Sequence, residues 1–305
     1  MTTVFLDVPK TEPNRRRGYV LAWLAAAAGA SLLAAADGWQ GWLTGGAEAP
    51  GGVPYATLLL MLLALGCEFV DATIGMGYGT TLSPLLVILG YPVRAVVPAA
   101  VLSQLAGNLS AAFFHHQVGN VDFLRDRRVR NSALLLGGIG LVVALGTVSL
   151  AVRLPTRAVT VAVLLVTLLV GVFMLVSTRL HLAFRWRNIV GLSVVASFSK
   201  AFTGGGYGPL VCGGQVLAGL DARAAVAGTA LAEAVVCLAT AGAYVAAGQG
   251  MALDLLIPLT AGSLLSTPLS AVALRRLPPA LTRRLMGGGI LLLTGAALLR
   301  MSGAW

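Results

Sequence analysis

The chain has little charge: 10% of its 305 residues are Asp, Glu, Lys or Arg, against 57% apolar. A soluble domain keeps about a quarter of its residues charged, so this composition excludes a molecule whose surface mostly faces water. Acidic residues are scarcer than basic ones, 11 against 21, and lysine is confined to Lys10 and Lys200. Cysteine is limited to Cys67, Cys212 and Cys237, all in apolar stretches and without paired spacing. That excludes a disulfide framework or a CxxC site and leaves small buried hydrophobes. Walker A, HExxH and Ser/His/Asp patterns are missing, so neither an enzyme nor a cofactor is expected.

What the chain does have is long apolar runs, at 19–36, 55–70, 132–152, 158–176 and 253–274. A bilayer crossing needs about 20 mostly apolar residues. The expected class is an all-α polytopic membrane protein with the lipid bilayer as its main partner. The net charge of +10 is no footprint for nucleic acid, because the basic residues cluster between apolar segments, as topology-setting loops do. Residues 1–54 read as a basic segment with Arg15, Arg16 and Arg17, a leader helix and a Gly/Pro-rich linker. The run at 19–36 is longer than the 7–15 residues of a signal-peptide core, which favours an uncleaved span.

Beyond the linker the sequence repeats. With an offset of 129, residues 71–98 and 200–227 align without gaps, and ten of the 28 positions are identical. Each repeat, 55–178 and 188–301, reads as five segments: 55–73, 79–90, 92–117, 130–152 and 156–177, then 188–202, 208–219, 222–246, 253–274 and 281–299. The second segment of each would be roughly 18 Å long as a helix, too short for a hydrocarbon core of about 30 Å. An odd number of segments per repeat predicts that the copies are inverted. Basic loops agree: with the N-terminus inside, Arg125, Arg127, Arg128, Arg130, Arg179, Arg185, Arg187, Arg275, Arg276, Arg283 and Arg284 fall inside. Arg94, Arg153 and Arg157 fall outside, as does the C-terminus.

Between the first and second segments both repeats carry a glycine tip: Gly75, Gly77, Tyr78 and Gly79, then Gly204, Gly205, Gly206, Tyr207 and Gly208. Each Gly in a helix costs about 1 kcal/mol relative to Ala, and Pro209 suits the first turn of a new helix. The tips therefore predict two broken or re-entrant helical hairpins. Irregular backbone at membrane depth is tolerated where it is buried or lines a cavity. Interrupted segments at matching places of inverted repeats point to a transporter's central site. Half-helix N-termini favour an anion there. Close helix packing is the alternative use of such glycines.

These tips, together with Pro84, the Gly119-Asn120-Val121-Asp122 stretch and Arg276-Leu277-Pro278-Pro279, resemble the sulfite exporter TauE/SafE family over about residues 55–300. The resemblance implies export of sulfite or organosulfonates across a bacterial inner membrane, with a small inorganic or organic sulfur anion as partner.

Ionisable groups within spans are expensive and point to function. Lys200 precedes the second tip, and Asp71 holds the matching place before the first. They could pair with each other, or Lys200 could meet substrate while Asp71 and Glu68 hold it. Gln104 and Glu233 match on the third segments, with Asn108 one turn beyond Gln104. Glu233 is a candidate for carrying a coupling proton; a helix–helix hydrogen bond is the plainer reading. Ser103, Ser110, Thr203 and Thr229 could add hydroxyls. His115 and His116 point about 100° apart on a helix and lack further ligands at spacing, so no metal site is expected. The rival functions are a cation or metal carrier using Glu68, Asp71, Glu233 and the histidines, and a membrane subunit that transports nothing. The sequence sets no oligomeric state.

Overall fold

The computed structural model describes residues 55–177, 186–217 and 220–274. The leader segment, the segment at 281–299, His181 and the loop residues Arg179, Arg185, Arg275, Arg276, Arg283 and Arg284 lie outside them. Nine helices and no strands are found among the described residues: α1 (Tyr55–Ile74), α2 (Tyr78–Ile88), α3 (Val93–Val118), α4 (Arg127–Ala151), α5 (Thr156–Ser177), α6 (Trp186–Thr203), α7 (Tyr207–Leu217), α8 (Ala222–Ala246) and α9 (Leu253–Ala273).

Local chemistry sets several of these ends. Asp126 opens α4 by accepting from the Arg128 and Val129 amides at 3.0 and 3.2 Å. Asp221 does the same for α8 with Arg223 and Ala224, at 3.0 and 3.3 Å. Gly119 closes α3 in the left-handed conformation (φ 80°), where a side chain would be strained.

Among the described residues, five helices are long and apolar enough to cross a membrane: α1 from Ala56 onward, α3, α4, α8 and α9. By contrast α2 and α7 span 11 residues each, about 16 Å at 1.5 Å per residue. Helix α4 shows how the sequence divides its faces. Leu134, Val142 and Leu145 are exposed, as suits lipid, while Gly137, Gly140, Ala144 and Val148 turn inward.

The helices pack in a crossed pattern. Helix α1 lies on α9 and α6 lies on α4, while the long α3 and α8 meet each other at the centre. Lipid is as apolar as Leu, so close approach rather than burial from water holds such a bundle. A Cβ on Gly262 of α9 would stand 2.1 Å from the Met61 carbonyl oxygen of α1. One on Gly140 of α4 would stand 2.3 Å from the Val236 side chain of α8. Tyr78 belongs to a buried cluster with Leu82, Leu86, Leu255 and Leu259. Tyr207 belongs to another with Val211, Leu136 and Val236.

Candidate functional site

The two tips are built alike. Helix α1 ends at Ile74 and α2 starts at Tyr78; α6 ends at Thr203 and α7 starts at Tyr207. Gly75 and Gly77 have φ of 78° and 141°, and their counterparts Gly204 and Gly206 have 79° and 90°. All four lie in the region that L-residues rarely adopt, so the repeated glycines are dictated by backbone shape. Met76 needs no such freedom, and neither does Gly205, which is glycine for another reason.

That reason is contact. A Cβ on Gly205 would stand 2.4 Å from the Gly79 carbonyl carbon and the Thr80 nitrogen. One on Gly79 would stand 1.8 Å from the Gly204 carbonyl oxygen, and one on Gly208 would stand 2.3 Å from that of Gly75. The tips therefore touch backbone to backbone, each half-helix start lying against the other tip. The contact is reciprocal across the repeat.

The polar residues gather around this junction, and all are buried. Lys200 Nζ donates to Gln104 Oε1 and pairs with Glu233 Oε1 at 3.0 Å. Gln104 Nε2 donates to Asp71 Oδ2 at 2.9 Å and to Glu233 Oε1 at 3.2 Å. Gln104 thus links four helices, and the cation of the site is paired with Glu233 rather than Asp71. The Asp71 carboxylate instead lies within hydrogen-bonding reach of the Tyr78 amide. It covers the positive end of α2 with a negative charge of the protein's own.

The second tip differs. Gly205 N–H donates to Thr203 Oγ1 at 3.0 Å, and the Gly205 carbonyl accepts from Ser199 Oγ at 3.0 Å and Thr203 Oγ1 at 3.1 Å. In the place that matches Asp71 stands the ammonium of Lys200. The Tyr78 hydroxyl shares a 2.7 Å hydrogen bond with Ser103 Oγ, whereas Tyr207 OH faces Ser193 without reaching hydrogen-bond geometry.

Glu68 is near Asp71, Glu233 and Lys200, but its carboxylate oxygens find no hydrogen-bond partner among the described residues. Asn108 Nδ2 is in the same condition. Thr229 accepts from Gln215 Nε2 at 2.8 Å and Ser110 bonds Thr267 at 2.7 Å, outside the junction network. His115 sits between the Ala72 carbonyl (2.8 Å) and Asn120 (2.9 Å). No group of three or more His, Cys, Asp or Glu is placed to hold a metal ion among the described residues. Sequence reasoning missed Ser263 of α9, which stands beside Glu68. The signal was available: Ser263, Ser266, Thr267 and Ser270 recur at i, i+3, i+4 and i+7, one polar face on a mostly apolar helix.

The geometry thus gives membrane-spanning helices, two apposed half-helix starts, and one buried cation beside three carboxyl groups. Comparison with known proteins agrees with a carrier. The chain is 25% identical over 256 residues to the probable membrane transporter protein YtnM of Bacillus subtilis strain 168, covering 79% of this chain and 82% of that one. No solved structure matches the chain significantly. The family model "Sulfite exporter TauE/SafE" matches residues 58–298, so this multi-pass membrane protein belongs to the TauE/SafE transporter family.

Proposed function

We propose that the protein exports small sulfur oxyanions, sulfite or organosulfonates, from a bacterial cell, and that the anion binds where the two glycine tips meet. The observation that carries this reading is the apposition of Gly79 with Gly204 and Gly205, and of Gly208 with Gly75, next to Lys200. Amides at the starts of α2 and α7 aim partial positive charge into this junction. Lys200 supplies the full charge that a sulfonate group needs.

The anion would take the place of Glu233 beside Lys200, with the backbone of Gly206, Tyr207 and Gly208 as further donors. Asp71 already occupies the start of α2, so the second tip is the binding tip and the first is its support. The repeats are inverted, with the N-terminus inside and the C-terminus outside, and rocking one repeat against the other alternates access. An anion leaving a cell that is negative inside gains about 2.3 kcal/mol per charge per 100 mV.

Proteoliposome flux tests the reading. Sulfite or an organosulfonate should move, divalent cations should not, and Lys200→Ala should stop the anion. Cation flux without anion flux would favour the carboxyl-rich cluster as a cation path and end the proposal.

A further inference from the structure

Of the three carboxyl groups near the junction, Glu233 is held by Lys200 and Gln104, and Asp71 by Gln104 and the Tyr78 amide. Among the described residues Glu68 makes no ion pair, and Ser263 Oγ, the hydroxyl that faces it, does not reach hydrogen-bond geometry. It is fully buried on α1, facing the α3–α9 seam. A Cβ on Gly107 of α3 would stand 2.8 Å from Glu68 Oε1 and 2.1 Å from Ser263 Oγ, which places that carboxyl and that hydroxyl side by side. Ser263 Oγ is itself buried and finds no hydrogen-bond partner among the described residues, and the same holds for Ser266 Oγ one turn further along α9.

The polar face continues from there. Thr267 bonds Ser110 at 2.7 Å. Asn120 Nδ2 donates to the Ala271 carbonyl at 2.9 Å and meets His115 Nδ1 at 2.9 Å. Asn120 lies just past the end of α3, beside the loop that carries Asp122 and Arg125. A buried row of hydroxyl, amide and imidazole groups thus runs from Glu68 towards a loop whose Arg125 is exposed. Polar residues that merely glue helices together are bonded to each other; those of this row nearest Glu68 are not.

Among the described residues, the matching seam of the second repeat has buried hydroxyls but no carboxyl in the place of Glu68. With the offset of 129 that joins Gln104 to Glu233, Glu68 becomes Ser197, Gly107 becomes Val236 and Asn108 becomes Cys237. Gly140 stands at their seam, its Cβ position within 2.8 Å of Ser197 Oγ and 2.3 Å of Val236. The seam's carboxyl is one-sided.

From this we infer that Glu68 is the group that binds and releases a coupling proton, and that the proton travels the α3–α9 seam between Glu68 and the Asn120 loop. The groups that face Glu68 are Asp71 and Cys67 on its own helix, Tyr78 on α2, Lys200 on α6, Glu233 and Cys237 on α8, and Ser263 on α9. Three oxygens, two from Glu68 and one from Ser263, make too small a shell for a sodium ion, and Lys200 would repel it. An anion that draws Glu233 off Lys200 changes the charge seen by Glu68, which couples the two sites. This inference rests on the anion reading above.

Infrared spectroscopy of the purified protein, titrated with acid, reads the proton directly. The expected result is a protonated-carboxyl band that is lost in Glu68→Gln, kept in Glu233→Gln, and shifted in frequency in Ser263→Ala. A band unchanged in both Glu68→Gln and Ser263→Ala would overturn the inference. In proteoliposomes loaded with a pH-sensitive dye, sulfite flux should carry protons in the wild type. In Glu68→Gln, sulfite counterflow should persist with proton movement reduced at least tenfold, which also shows that the variant is folded. Equal proton movement in the two would again overturn the inference. A Glu68-dependent band in a protein that moves no sulfite or sulfonate would remove the anion reading and leave the proton site standing.

Discussion

The two tips share a backbone and differ in their charges. Gly75 and Gly204, and Gly77 and Gly206, repeat the same left-handed turns, yet a carboxylate precedes one tip and an ammonium the other. The first tip is closed by Asp71 within its own half, and its helix rests on a hydroxyl pair between Tyr78 and Ser103. The second has Lys200, whose partners Gln104 and Glu233 come from both halves. A duplicated frame thus supplies shape twice, and divergence of a few side chains gives the two copies opposite charges; on the proposed reading, that makes one copy support and the other a binding surface.

Breaking the shape should cost most. Gly79→Ala or Gly208→Ala drives a methyl group into the opposite tip's backbone, where no side chain can give way. About 3 kcal/mol of stability, the upper range for overpacking, and all sulfite flux should be lost in either variant. Thermal unfolding in detergent and proteoliposome flux measure the two effects. A variant of one tip that left flux intact would show that the tips do not act as a pair.

Breaking the charge asymmetry comes next. Lys200→Ala leaves Glu233 buried without its cation, at a cost of about 3 kcal/mol or more, and should lower the unfolding temperature along with flux. The double variant Lys200→Gln/Glu233→Gln leaves neither charge alone and should recover most of the stability without the flux. Asp71→Asn should act in the other direction. It keeps an acceptor at the start of α2 while removing a negative charge near the bound anion, so sulfite affinity, read by titration calorimetry, should rise a few-fold.

The smallest effect should come from glycines outside the junction. Gly138→Ala and Gly146→Ala on α4 meet nothing within 4 Å, and Ala favours a helix by up to about 1 kcal/mol. Both variants should keep wild-type flux and equal or greater stability. Loss of flux in them would mean that glycine content in general, rather than the two tips, controls transport.

Much of this comparison is legible in the chain itself. Glycine pairs at matched places, a proline in the first turn and runs too short to cross the bilayer locate both tips, because φ preference and helix length are local properties. The partner of Lys200 is not local. Asp71 matches it in the repeat, but the ion pair forms with Glu233, because Gln104 of α3 comes between Asp71 and Lys200 and bonds both. Nor does the repeat alone explain why Met76 stands opposite Gly205. Neither position needs a positive φ; Gly205 is small because Gly79 and Thr80 press against it. The Glu68–Ser263 contact joins α1 and α9, and only the crossed packing of the bundle brings them together.

The decisive measurement is sulfite flux in proteoliposomes for the wild type beside Lys200→Gln/Glu233→Gln, with folding of both checked by thermal unfolding. Flux in the wild type and none in the folded double variant is the expected result. Equal flux in the two would place the anion elsewhere and contradict a binding site at the second tip.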